Sequence, residues 1–134
     1  MNKILIADNP FITMWAYPDR KLIHHHMKAY CHGADFRDAL LKGLTALRTY
    51  KATKWLSDDR ANGALPRVDE EWATTSWFPL VLAAGWRHWA IVQPAKVIGR
   101  INMARVTRKY NDLGMNVRMF SDPDEAMTWL DALA

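Results

Sequence analysis

The pattern of apolar and polar positions near the N-terminus is typical of β-strands. Residues 11–30 contain two segments rich in β-branched and aromatic side chains, joined by the turn signal Pro18-Asp-Arg20, in which proline pre-sets φ. This pattern predicts a β-hairpin. On the second strand Ile23, His25 and Met27 share the more apolar face, because side chains alternate along a strand, and we expect that face to meet the core.

Beyond the hairpin, apolar residues recur at helical spacing in some segments and in short continuous runs in others. Leu40, Leu44 and Leu47 lie on one stripe, which predicts a helix over residues 33–50 with Asp35 as its N-cap. Strands are predicted at residues 53–56, 87–93 and 116–120, and further helices at residues 69–84, 95–113 and 122–133.

Two of these helices have marked local features. Pro79 lacks a backbone donor and clashes with the preceding turn, so we expect a kink or a break near Trp77 in the helix over residues 69–84. In the helix over residues 95–113, the residues expected to face the core are Val97, Ile98, Ile101 and Ala104.

A hairpin followed by alternating helices and strands predicts an α/β protein whose later strands are mostly parallel. If the short apolar run at residues 4–7 is counted, the mixed sheet has five to six strands. The length of 134 residues favours a single domain over residues 1–134.

Composition narrows the classes of function. The net charge of +4 is too weak to indicate a nucleic-acid partner. The single cysteine, Cys31, excludes an intrachain disulfide and is expected to be a structural thiol. No apolar run is long enough for a signal peptide or a membrane span, so we expect a cytoplasmic protein.

Charged residues gather where the strand at residues 53–56 passes into a polar loop. Asp58, Asp59 and Arg60 either serve the loop backbone or form the rim of a ligand- or partner-binding site. The side chains of adjacent residues in an extended segment point apart, so a metal ion held here would need a third ligand that the sequence does not supply. We therefore predict neither a metal nor a cofactor.

Several other residues suit either a structural or a functional role. His24 and His26 share a strand face, as metal ligands often do, but no further Cys or His pair completes a recognised spacing. Trp72 and Trp77 suit either core packing or a stacking platform for a flat ligand. The basic side chains of the helix over residues 95–113 are expected to form a solvated face.

The order of elements and four landmarks resemble the stand-alone STAS/SEC14-type proteins, whose fold is similar to that of the anti-sigma factor antagonists, the SpoIIAA-like fold. The landmarks are the opening hairpin, Trp55-Leu-Ser-Asp-Asp-Arg60, the helix with Glu71-Trp72 and Trp77-Phe-Pro79, and residues 120–130. The resemblance implies a mixed sheet with helices mainly on one face, and often a homodimer. The antagonists carry a phosphorylatable serine at the start of a helix, whereas Ser57 lies at a strand end, so modification of Ser57 is an outside candidate.

These observations predict a non-enzymatic interaction or regulatory module, forming a homodimer or binding a protein partner. The alternative is a small-ligand protein that binds a lipid or nucleotide in a tryptophan-lined cleft. The candidate ligand- or partner-binding residues are Asp58, Asp59, Arg60, Trp72 and Trp77. No spacing matches a known catalytic device, so we do not predict an enzyme and assign no catalytic residue.

Overall fold

A six-stranded mixed sheet organises the fold, and its strands lie side by side in chain order. The computed structural model describes residues 3–133. The strands are β1 (Ile4–Asp8), β2 (Ile12–Tyr17), β3 (Leu22–Met27), β4 (Lys54–Asp58), β5 (His88–Val92) and β6 (Asn116–Phe120). The helices are α1 (Gly33–Tyr50), α2 (Arg67–Trp72), α3 (Phe78–Ala83), α4 (Val97–Asp112) and α5 (Pro123–Asp131).

The type of strand pairing changes once across this sheet, from antiparallel to parallel at β3. β1, β2 and β3 pair antiparallel as a meander, and the β2–β3 hairpin is closed by a 3₁₀ turn over Pro18–Arg20. β3, β4, β5 and β6 then pair parallel, because each is followed by a helical connection before the next strand. The predicted mixed α/β sheet with an opening hairpin is confirmed.

Two apolar cores flank the sheet, and they differ in size. The larger core lies under α1, α2, α3 and α4, and it contains the face of β3 that carries Ile23, His25 and Met27. The smaller core lies under α5, which packs on β4, β5 and β6. Four of the five helices therefore lie on one face of the sheet, and α5 covers only part of the other.

The N-terminus of α1 differs from the prediction. His32 is the N-cap residue and makes no side-chain capping bond, so the capping role expected of Asp35 is wrong. The buried carboxylate of Asp69, on α2, accepts a hydrogen bond from the Gly33 backbone N–H at 2.8 Å and another from Arg37 Nε at 3.2 Å. Asp69, a residue of another helix, therefore supplies the hydrogen-bond acceptor at the N-terminus of α1, and no local sequence pattern indicates this contact.

The helix predicted over residues 69–84 accommodates Pro79 without a break. A π turn over Ala73–Trp77 joins α2 to α3, and Pro79 lies in the first turn of α3. The π turn changes the backbone hydrogen bond from i→i−4 to i→i−5 at Phe78, directly before the position at which the proline lacks a donor. Near Trp77, where a kink or a break is expected, the helix continues through a π turn.

The apolar face assigned to α4 is wrong. Val97, Ile98 and Ile101 are 61%, 64% and 63% exposed, and the buried positions are instead Gly99, Met103, Val106 and Tyr110. Gly99 explains the rotation of the helix, since a Cβ atom there would lie 2.8 Å from the Cβ atom of Pro94. The helix therefore turns Gly99 toward the preceding loop and leaves Val97, Ile98 and Ile101 exposed.

Candidate functional site

Polar side chains meet at the carboxyl ends of β3 and β4. The parallel register places His25 beside Ser57 and His26 beside Asp58, and Asp59 follows at the strand end. Alternation then divides them between the two faces of the sheet. Ser57 and Asp59 face the larger core with His25, whereas Asp58 and His26 lie on the α5 side, so the two aspartates point apart as expected.

On the α5 side, Asp58 is fully engaged. Its carboxylate accepts hydrogen bonds from Arg60 Nε at 2.9 Å and Nη2 at 2.7 Å, and His26 Nδ1 lies 3.1 Å from Oδ2. Burial by itself would raise the pKa of Asp58, but the hydrogen bonds from Arg60 and His26 outweigh it and lower the pKa to about 2. Asp58 and Arg60 therefore form a closed ion pair at the loop base.

On the core side, His25 is held by two buried partners. The indole Nε1–H of Trp55 donates to His25 Nδ1 at 2.9 Å, and His25 Nε2 lies 2.8 Å from Asp59 Oδ1. An indole N–H can only donate, so Nδ1 is the acceptor, the ring proton resides on Nε2, and Nε2–H donates to Asp59. His25 is thus a neutral imidazole with both nitrogens occupied.

Ser57 lies beside this pair but does not form a catalytic triad with it. Its Oγ accepts a hydrogen bond from Trp89 Nε1 at 2.8 Å, and the residue is buried. A serine nucleophile needs a histidine nitrogen free to take its proton, and neither nitrogen of His25 is free. Phosphorylation of Ser57 remains a prediction, and it would require the helices above the sheet to part.

A cavity opens between these polar groups and the helices above them. Its volume is about 70 Å³, and its wall is predominantly apolar. The polar groups that line it include Asp59, Ser57 and His25. The aromatic residues that line it are Phe36, Trp55, Trp77, Trp86, Trp89 and Tyr110.

One ion-paired carboxylate separates this cavity from the surface. Glu70 and Leu65 line both the cavity and a shallow outer groove that also contains Arg105 and Lys109. Glu70 accepts a hydrogen bond from Arg105 Nη1 at 2.7 Å and lies 3.5 Å from Lys109 Nζ. The hydrogen bond from Arg105 is the main cause that lowers the pKa of Glu70. Glu70 therefore lies between the cavity and the outer groove, with Arg105 and Lys109 on its outer side.

The five predicted site residues lie in three places. Asp59 and Trp77 line the cavity, whereas Asp58 and Arg60 pair on the opposite face. Trp72 is half-buried and lies against the Arg37 guanidinium, 5.4 Å from the ring centroid. Whether these residues bind a ligand or a partner stays a prediction.

Three cavity groups were missed by the sequence reasoning, namely His25, Trp89 and Glu70. Strand alternation placed His25 on the core face, and a histidine on an otherwise apolar face was a usable signal. Glu70 lies in the first turn of the helix predicted over residues 69–84, and no local pattern marks it as a cavity residue. Its pairing with Arg105 and Lys109 also shows that the basic side of α4 is partly neutralised.

Cys31 is buried beside α1. Burial, with smaller effects of Asp35 and Asp69, raises the pKa of its thiol to about 11. A thiol that stays protonated at neutral pH is a poor nucleophile, and this agrees with a structural role. Among residues 3–133, no group of three or more His, Cys, Asp and Glu side chains is placed to hold a metal ion.

The fold and the site together define an α/β protein with a partly enclosed, aromatic-lined cavity at the carboxyl edge of its parallel strands. Comparison of the chain with family models, curated proteins and solved structures finds no match. Within the described part of the chain, no helix is both long and apolar enough to cross a membrane.

Proposed function

We propose that this protein binds a small molecule in the cavity between the sheet and α1, α2, the π turn and α4. The observation that supports the proposal is an apolar cavity into which a few polar groups converge, the usual character of a small-molecule site. A cavity of about 150 Å³ holds benzene, so a volume of about 70 Å³ suits a ligand of only a few heavy atoms. This size favours a ligand smaller than a lipid or a nucleotide.

Binding is expected to change the NMR signals of the indole N–H groups that border the cavity. We would titrate the protein with isopropylammonium, 2-propanol and acetate, which have similar shape and four heavy atoms each. At least one should give saturable shifts at the Trp55 and Trp89 indoles. Saturation with none of the three, in the native protein, would contradict the proposal.

A matched pair of variants links such binding to the cavity. Ala73 is buried and lines the cavity, so Ala73→Val adds two methyl groups to its wall and should weaken binding at least about tenfold. Ala83 is exposed on α3, and Ala83→Val should bind as the native protein does. Equal affinities in both variants would place the bound molecule elsewhere.

A second candidate function is self-association as a homodimeric interaction or regulatory module, in the manner of the STAS-type proteins that the sequence resembles. It is favoured by the exposed apolar side chains of Val97, Ile98 and Ile101 at the start of α4. Such a patch commonly marks a protein contact. A cytoplasmic location belongs with this proposal and is consistent with the unreactive Cys31 thiol.

Light scattering tests the homodimer directly. At micromolar concentration the native protein should have a mass twice the 15.5 kDa of one copy. The Ile98→Lys variant should have the mass of a single copy. Leu113→Lys, at the exposed far end of α4, is the matched control and should leave the dimer intact. A monomeric native protein would count against this candidate and leave the cavity proposal unaffected.

A further inference from the structure

We propose that the cavity selects small organic cations, specifically short alkylammonium ions, with Asp59 as the residue that binds the charged nitrogen. The inference rests on the proposed function, because it names the class of ligand for the same cavity. Three observations support the cation preference. One carboxylate oxygen of Asp59 accepts no side-chain hydrogen bond, no cationic side chain lines the cavity, and several tryptophan rings do.

Asp59 lines the cavity and has one carboxylate oxygen that accepts no side-chain hydrogen bond from the described residues. The residue is 5% exposed and lines the cavity. Its Oδ1 accepts the Nε2–H of His25 at 2.8 Å, while Oδ2 receives no hydrogen bond from any side chain within residues 3–133. A carboxylate oxygen can accept two hydrogen bonds, so Oδ2 is available to a donor brought by a ligand.

The negative charge of Asp59 has no positive counterpart among the described side chains that line the cavity, because Arg105 and Lys109 line only the outer groove. No lysine or arginine is among the described residues that line it. His25 is neutral because Trp55 donates to its other nitrogen, and Arg60 is directed to Asp58 on the opposite face of the sheet. A buried carboxylate without a compensating charge is costly, so a cation in the cavity would offset that cost.

The surrounding rings favour the same sign of charge. Trp55, Trp77, Trp86 and Trp89 border the cavity, and the negative face of an aromatic ring attracts an ammonium group, most strongly for tryptophan. Their apolar surface also suits a short alkyl group on the nitrogen. An anion would be repelled by Asp59. A neutral alcohol would gain a hydrogen bond to Asp59 but no charge attraction.

The three probes named above differ mainly in charge, so their order of affinity tests this inference. We expect isopropylammonium to bind the native protein at least about tenfold more tightly than 2-propanol, and acetate to bind weakest. Saturable binding of 2-propanol or acetate with equal or higher affinity would overturn the cation preference and leave small-molecule binding standing. The absence of binding by all three would overturn both proposals.

Two neighbouring aspartates supply the matched variants. Asp59→Asn keeps an oxygen for the His25 Nε2–H but removes the charge, so the preference for isopropylammonium over 2-propanol should fall to within about threefold. Asp58→Asn makes the same change on the opposite face and should retain the tenfold preference. A preference that survives in Asp59→Asn, or is lost equally in both variants, would overturn the assignment of Asp59. If Asp59→Asn does not fold, the order of affinities in the native protein still decides the charge preference.

Discussion

Replacing Gly43 with alanine is expected to lower the free energy of unfolding by about 3 kcal/mol, because the core has no room for the added methyl group. A Cβ atom at Gly43 would lie 2.1 Å from Cη2 of Trp55 and 2.8 Å from Cζ3. The ring cannot easily retreat, since its N–H is bonded to His25 and its faces and edges contact Trp77 and Trp86. This loss should exceed the gain of about 1 kcal/mol that alanine brings to a helix.

Urea unfolding measured by tryptophan fluorescence would test this effect. Gly63→Ala is the control, because its Cβ would meet the Tyr30 ring at an ordinary 3.4 Å and the site is in a loop. We expect that variant to stay within about 0.5 kcal/mol of the native protein. A Gly43→Ala protein as stable as the native one would show that Trp55 can move. It would also count against the neutral tautomer assigned to His25, because that assignment depends on the hydrogen bond from Trp55.

The second large effect is a loss of stability in mild acid that originates at His24. His24 lies between Trp15 and Tyr17, with ring centroids 5.2 Å and 6.2 Å away, and its Nδ1 is buried without a hydrogen-bond partner among the described residues. Burial is the main cause that lowers the pKa of His24 from its ordinary 6.5 to about 4.

The sign of the pH effect follows from proton binding. Between pH 6.5 and pH 4 the unfolded chain protonates at His24 while the folded protein does not, so stability falls as the pH is lowered through this window. The contribution present above pH 6.5 is about 3 kcal/mol and is lost progressively toward pH 4.

Urea unfolding at several pH values between 7.5 and 4.5 would measure this contribution. In His24→Gln the group that titrates is gone, so most of the slope over this range should disappear. His32→Gln removes an exposed histidine that stacks on Tyr30, with ring centroids 4.9 Å apart, and should keep the native slope. An unchanged slope in His24→Gln would contradict the assignment of the acid sensitivity to this residue.

Local signals in the sequence were reliable where the stabilising partners are neighbours in the chain. The start of α5 is an example, because Asp122 accepts a bond from the Asp124 N–H and Pro123 occupies the first turn. The hairpin turn at Pro18–Arg20 and the end of α3 before Gly85, with its φ of +113°, are others. In each case the interactions that decide the conformation span only a few residues.

Local patterns gave the wrong prediction where a contact with a distant element determines the structure. Val97, Ile98 and Ile101 form an apolar set as convincing as Met103 and Val106, and only the close approach of Gly99 to Pro94 chooses between them. For α1 the local candidate was Asp35, yet a carboxylate from α2 completes the helix start. Periodicity identifies an apolar face, but it does not show which of two faces finds a neighbour.

By itself, the sequence determined the mixed α/β fold, the order of helices and strands, and the opposite directions of Asp58 and Asp59, because alternation and turn chemistry act over short distances. Only the tertiary structure decided that Asp59 meets His25, that Trp55 makes that histidine neutral, and that Glu70 closes the cavity with Arg105. These pairs lie 30 or more residues apart. Their meeting depends on strand register and helix packing, which the local pattern of side chains does not specify.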